Sequence, residues 1–348
     1  MRTRMTRILV LVVLVVLGAV GLASAPVAVA QELVLQTVEF HSVAIDRTTK
    51  YNILLPRGYE ESTERYPVLY LLHGLGQNYT AWGRSNGAPF YAGLYADMIV
   101  VMPDGGNSWF INYAESTDGQ TNNWANHIVW DVINHVDWHY RTIARREGRA
   151  ITGLSMGGYG AITLGLQHPD MFISIGSTSG ALAHGRQAAA RLRGEAPPRP
   201  PRQRSPDEQA AFEASQRQPD PLIGIDGFSS QVERTPSGTV FATPEQADAF
   251  DPFVLIHTVP ADQLPHIYID CGTEDATASA DHPQGMLGAA KELAQILMDK
   301  DVPFDYMQMA GRHNASYWIE SIGHIMSVQY EVMQRALGQR PAGRRQSN

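Results

Sequence analysis

The sequence predicts an α/β protein with a mostly parallel central sheet and helices on both faces. Three observations carry that expectation. Short runs are apolar at every position, as in strands covered on both sides, at residues 68–72 and 98–102. Between and after such runs, apolar residues recur at helical spacing, and the alternation of the two patterns implies crossover connections. At residues 150–160, Ala-Ile-Thr-Gly-Leu-Ser-Met-Gly-Gly-Tyr-Gly, an apolar run turns at a serine between glycines and continues into a small-residue helix.

Residues 1–30 stand apart from the fold. Arg2, Arg4 and Arg7 precede a continuous apolar run at 8–17, then small residues ending in Ala28-Val29-Ala30. This is the layout of a secretory signal peptide cleaved after Ala30, with Ala23-Ser24-Ala25 a competing site, and it predicts a secreted or periplasmic protein with no stable membrane span after cleavage. The apolar run is short for a bilayer span. Removing the three arginines leaves 24 basic residues against 35 acidic, a net charge near −11. That balance argues against a nucleic-acid partner, which wants a basic stripe. Cys271 is the single cysteine, so no internal disulfide can form, and its apolar strand pattern predicts a buried, inert thiol.

Along the domain expected at 31–337, residues 33–45 and 50–55 alternate apolar and polar side chains, like antiparallel strands at a sheet edge. The strand at 68–72 ends in His73-Gly74-Leu75-Gly76. The strand at 98–102 is stopped by Pro103-Asp104-Gly105-Gly106 and followed by an aromatic loop with Trp109, Phe110 and Tyr113. Ile128, Val132, Val136 and Tyr140 give residues 124–140 a helical period. The helix after Ser155 runs to Gln167 and is closed off by Pro169, before a strand at 172–175. Residues 183–219 turn rich in Arg, Ala, Gln and Pro; Pro197-Pro198-Arg199-Pro200-Pro201-Arg202 excludes helix or interior strand, so a flexible surface insertion is expected there. Order resumes with a strand at 266–270, a loop at 271–275, an amphipathic helix at 285–300, a strand at 304–309, a helix at 316–337 and a frayed tail at 338–348.

The chemistry lies at the strand ends. Gly153-Leu154-Ser155-Met156-Gly157 is a G-x-S-x-G nucleophile elbow, which holds a serine hydroxyl up from the sheet on a strained turn. A neutral serine needs a base, and His313 follows the last strand; an acid must hold that imidazole in the right tautomer, and Asp275 follows the strand before it. The order Ser, Asp, His is that of α/β-hydrolases. Glu274 and Asp270 are rival acids. Among rival bases, His73 reads as an orienting residue and His282 as solvated. His135 and His139 stand four apart, but Val136 replaces the glutamate of a zinc motif, so no metal is expected there. The oxyanion hole needs two backbone donors, Met156 after the nucleophile and Leu75 in the early glycine loop. Trp109 and Trp124 are candidate aromatic platforms for a sugar or phenolic ring.

Leu71-Leu72-His73-Gly74-Leu75-Gly76, Met102-Pro103-Asp104-Gly105-Gly106-Asn107-Ser108, Gly153-Leu154-Ser155-Met156-Gly157-Gly158-Tyr159-Gly160, Cys271-Gly272-Thr273-Glu274-Asp275 and Gly311-Arg312-His313 together resemble the "putative esterase" family. That family includes S-formylglutathione hydrolase, tributyrin, feruloyl and acetylxylan esterases, and secreted mycolyltransferases. The resemblance spans about 37–337 and implies an α/β-hydrolase fold, Ser155 as nucleophile, Asp275 as acid, His313 as base, and Leu75 and Met156 as oxyanion donors. It implies hydrolysis of small-molecule or polysaccharide-linked carboxylic esters without a cofactor, with acyl transfer to a carbohydrate hydroxyl or non-catalytic carbohydrate binding as alternatives. Where relatives read G-G-H-D-W after the last strand, this chain reads Gly311-Arg312-His313-Asn314-Ala315, and mycolyltransferases carry Asp in place of His73.

Overall fold

The computed structural model describes residues 33–339 apart from 85, 95–96, 118, 197–235 and 276–284. The expected signal peptide, most of the Arg/Pro-rich stretch, His282 and all but two residues of the tail lie outside the described residues. Among the described residues, no helix is long and apolar enough to cross a membrane.

Among the described residues ten strands form: β1 Val34–Ser42, β2 Arg47–Leu55, β3 Val68–Leu72, β4 Ile99–Pro103, β5 Glu115–Ser116, β6 Arg149–Leu154, β7 Ser174–Thr178, β8 Gly238–Thr239, β9 His266–Gly272 and β10 Phe304–Met309. Eight make one sheet in the order β1-β2-β4-β3-β6-β7-β9-β10, and β5 pairs with β8 in a small separate ribbon. β1 and β2 are antiparallel, and β2 is antiparallel to β4; every neighbour from β4 to β10 is parallel. The uniformly apolar strands fall in the middle. β3 and β4 are buried at every position, because helices cover both faces and leave no wet side for a polar alternation to serve. Parallel strands leave all their carboxyl ends on one edge, so the loops after β3, β4, β6, β9 and β10 share one rim.

Two layers flank the sheet. On one face lie the helix Met156–Gln167 and the helical stretch 124–139, packed over Val68, Tyr70, Ile99, Val101 and Ile151. On the other, the long helix Ala315–Ala336 lays Trp318, Ile322, Ile325, Met326 and Met333 against Leu69, Leu71, Val100 and Ala150. The stretch 124–139 is one continuous helical run whose middle, His127–Val132, is π-helical. The widened turn sits where His127 points into the protein, fully buried.

The Arg/Ala-rich stretch begins differently from the flexible insertion expected from residue 183. His184–Leu192 is a helix, with His184 and Ala189 buried. Gly185 fits closely against the carbonyls of Phe250 and Ala247, where a side chain would clash. Alanines at 188–190 favour helix and let it approach its neighbour closely, so composition there concealed an ordered element.

Candidate active site

The turn after β6 is built to hold one serine in a conformation serines avoid. Ser155 has φ 53° and ψ −116°, outside both the helical and extended regions, and such backbone strain costs on the order of 1–3 kcal/mol. Its surroundings over-determine it. The Ser155 N–H donates to the Thr178 carbonyl at 3.1 Å, and its own carbonyl accepts from Ala181 (3.0 Å) and Tyr159 (3.1 Å). Gly153 and Gly157 make the sharp turn possible: a Cβ on Gly153 would fall inside the backbone of Gly157, and one on Gly157 would strike the carbonyls of Leu72 and His73.

The loops after β9 and β10 stay paired beyond the strands. Thr273 N–H donates to the Met309 carbonyl at 2.8 Å and Glu274 N–H to the Gly311 carbonyl at 2.9 Å. Gly272 and Gly311 pass so close that a side chain on Gly272 would meet the Gly311 backbone. This close pass brings Asp275 and His313 together. His313 Nδ1 lies 2.9 Å from Asp275 Oδ2, and His313 Nε2 lies 2.9 Å from Ser155 Oγ. A carboxylate only accepts, so Nδ1 carries the hydrogen and Nε2 presents its lone pair to the serine hydroxyl. Asn314 then caps the helix Ala315–Ala336, its Oδ1 accepting from Tyr317 N–H at 3.2 Å. Trp318 packs edge-on against the His313 ring, with centroids 5.2 Å apart. Nothing in its sequence position distinguished Trp318 from a core residue of an amphipathic helix.

The rival acids separate cleanly. Asp275 is fully buried on His313, whereas Glu274 is exposed and paired with Arg312 at 2.8 Å. Asp270 is buried inside β9 and accepts from the hydroxyls of Thr178, Tyr268, Tyr317 and Ser321 at 2.5–2.8 Å. Burial pushes its carboxyl above the usual range, against the pull of those hydroxyls. Cys271 is a buried free thiol, and burial pushes it well up, out of the reactive range.

His73 is buried with both ring nitrogens occupied. Nδ1 lies 2.9 Å from the Gly74 carbonyl and must donate to it; Nε2 accepts from the Gly105 N–H at 2.9 Å. The imidazole is therefore neutral, and its 3.5 Å approach to Asp104 Oδ1 is not an ion pair. His135 and His139 stack on each other at 4.0 Å, with His135 Nδ1 2.9 Å from Tyr51 Oη. Among the described residues no cluster of three or more His, Cys, Asp or Glu side chains could hold a metal ion.

The two tryptophans part company. Trp124 is 1% exposed, its Nε1 donating to Asn122 Oδ1 at 3.3 Å and its ring under the Arg47 guanidinium, in a cluster with Ile45 and Tyr113. It is a packing residue, contrary to the expectation of a substrate platform: Trp124 opens the helix expected at 124–140, and the first turn of that helix faces inward. Trp109 is half-buried, has φ 61°, and lies flat on His184 at 3.6 Å. Phe110 is buried beneath Gly105 and Gly160. Leu75 is 43% exposed and Met156 is buried; among the described residues neither backbone N–H has a hydrogen-bond partner.

The sequence model of the esterase family, described as "Putative esterase", matches residues 42–326. This chain belongs to the esterase family. An esterase of Mycobacterium tuberculosis is 36% identical over 144 residues, 40% of this chain and 31% of that one. An endo-1,4-beta-xylanase/feruloyl esterase of Xylanibacter ruminicola is 33% identical over 156 residues, 42% of this chain and 21% of that one. The chain thus spans a third or less of the length of these two relatives. A fluorophosphonate-binding serine hydrolase of Staphylococcus aureus superimposes with a TM-score of 0.61 at 20% identity, over 86% of this chain and 99% of that one. Its fold, and that of this chain, is the α/β-hydrolase fold.

Proposed function

We propose that this esterase is an exported serine carboxylesterase acting through an acyl-enzyme on short-chain acyl, acetyl or feruloyl esters. The observation that supports it most is the unbroken chain Asp275 Oδ2, His313 Nδ1, His313 Nε2, Ser155 Oγ, each link at 2.9 Å. In this reading His313 Nε2 takes the Ser155 proton as Oγ attacks the ester carbonyl, and Asp275 stabilises the imidazolium. The tetrahedral oxyanion lies against the N–H groups of Met156 and Leu75, at the start of the helix Met156–Gln167. His313 returns the proton to the leaving alcohol. Water then attacks the acyl-Ser155 with His313 again as base, releasing the acid. Trp109, beside the elbow helix through its contact with Tyr159, is the proposed ring platform for an aromatic ester. The order of basic, apolar and small residues at 1–30 supports export.

The test is turnover of p-nitrophenyl esters of increasing chain length beside methyl ferulate and acetylated xylan, with product analysis in the presence of a sugar acceptor. Release of free acid is expected, with Ser155→Ala slower by about 10³–10⁶ in kcat. Near-full turnover by that variant contradicts the assignment, and acyl-sugar as the main product would make the protein a transferase.

A further inference from the structure

The glycine loop after β3 is held from both sides by neutral side-chain acceptors. The Gly74 N–H donates to Gln77 Oε1 at 2.9 Å, and the Gly76 N–H donates to Asn107 Oδ1 at 2.7 Å. Between them, the Leu75 N–H has no partner among the described residues. The loop lies against the nucleophile, since a Cβ built on Gly74 would stand 3.5 Å from Ser155 Cβ. Gly76 has φ 77° with open space around it, so glycine is required there by backbone conformation.

Asn107 is itself anchored. It belongs to the loop after β4, whose Asp104–Gly105 peptide is gripped at both ends by buried histidines. His127 Nε2 donates to the Asp104 carbonyl at 3.1 Å, and the Gly105 N–H donates to His73 Nε2 at 2.9 Å. Ser108 Oγ donates to the Gly105 carbonyl at 2.5 Å and accepts from the Phe110 N–H at 3.1 Å. The π-helical turn that buries His127 thereby holds the start of the loop from which, further along, Asn107 reaches the glycine loop.

We propose that Asn107 and Gln77 are positioning residues for the oxyanion donor Leu75: by taking the amides on either side, they fix the peptide whose N–H meets the developing charge. The chemistry of the acceptors fits that task. Two amide oxygens hold the loop without a negative charge, whereas carboxylates in their places would repel the oxyanion. The inference rests on the hydrolase reading above.

The test uses the full chain with Asn107→Ala, Gln77→Ala, Ser155→Ala and the wild type, assayed on p-nitrophenyl acetate and titrated with an aryl trifluoromethyl ketone. That ketone forms an oxyanionic adduct on a reactive serine. Asn107→Ala and Gln77→Ala are each expected to lower kcat about 10- to 100-fold, short of the 10²–10³ for removing a donor outright. KM should change less than about threefold, and ketone affinity should fall by the same factor as kcat. Unaltered kcat and ketone affinity in both variants overturns the proposal. So does a loss in which thermal stability collapses and ketone affinity does not follow kcat, since a merely structural role would give that. If Ser155→Ala retains wild-type turnover, the hydrolase reading fails instead; if it is inert while both brace variants behave as wild type, only the brace fails.

Discussion

Asp270 and Asp275 stand five residues apart, one within β9 and one in the loop after it, both fully buried and with different partners. Asp270 is closed off by four hydroxyls from β7, β9 and the helix Ala315–Ala336. Asp275 gives Oδ2 to His313, and its Oδ1 has no hydrogen-bond partner among the described residues. The first carboxyl ties the helix behind His313 to the sheet through Tyr317 and Ser321; the second meets the His313 ring, with the Cys271 thiol 3.9 Å from the same oxygen. Two buried carboxylates so close in the chain are thus told apart by their partners, four hydroxyls on one and an imidazole on the other.

Asp275→Asn is expected to lower kcat by about 10³–10⁴ at pH 7 with little change in melting temperature, because the amide reverses the tautomer of His313. Asp270→Asn should do the reverse, costing about 2–4 kcal/mol in urea unfolding while kcat stays within about tenfold, since four hydroxyls lose an acceptor matched to them. Equal losses of kcat in the two variants would erase the distinction.

His127 sharpens the same contrast with a histidine that never titrates in the working range. Burial lowers it to about 4. The unfolded chain protonates near pH 6.5 and the folded one near 4, so the stabilisation is complete above 6.5 and is lost as pH falls to about 4. At about 1.4 kcal/mol per unit, the loss approaches about 3 kcal/mol. In His127→Gln, which keeps a donor for the Asp104 carbonyl, unfolding free energy should vary less between pH 4 and 6.5 than in the wild type; an unchanged pH slope contradicts the assignment. The smallest effect is expected at Glu274→Gln. Its pair with Arg312 is exposed on both sides, and exposed pairs contribute little, so kcat/KM should move less than about twofold and stability less than about 1 kcal/mol.

Much of the fold was legible because its signals are local. Uniform apolarity marked β3 and β4 as central, period-two alternation placed β1 and β2 at an edge, and glycines at 153 and 157 announced a turn that only missing side chains allow. The placing of Ser155, Asp275 and His313 after β6, β9 and β10 was legible from topology, since parallel strands gather their ends on one rim. What sequence left hidden depends on facing partners. The burial of Trp124 follows from the way the 124–139 run rotates inward, and its π-helical middle from the need to seat His127 under the Asp104 carbonyl. Helix His184–Leu192 was masked by an arginine-rich composition that the Pro-rich run beyond it made resemble a linker. The choice between Asp275 and Glu274 turned on which carboxyl the paired loops direct inward, a matter of register between β9 and β10 that neighbouring acids in a sequence do not reveal.

In the proposed reaction Ser155 is made reactive by His313. The most direct test of that activation is covalent labelling with a fluorophosphonate, followed by mass mapping of the modified peptide in the wild type, Ser155→Ala and His313→Ala. One adduct on the peptide carrying Ser155 is expected, absent from Ser155→Ala and formed at least about a hundredfold more slowly in His313→Ala. An adduct on another serine, or labelling that survives both substitutions, contradicts it.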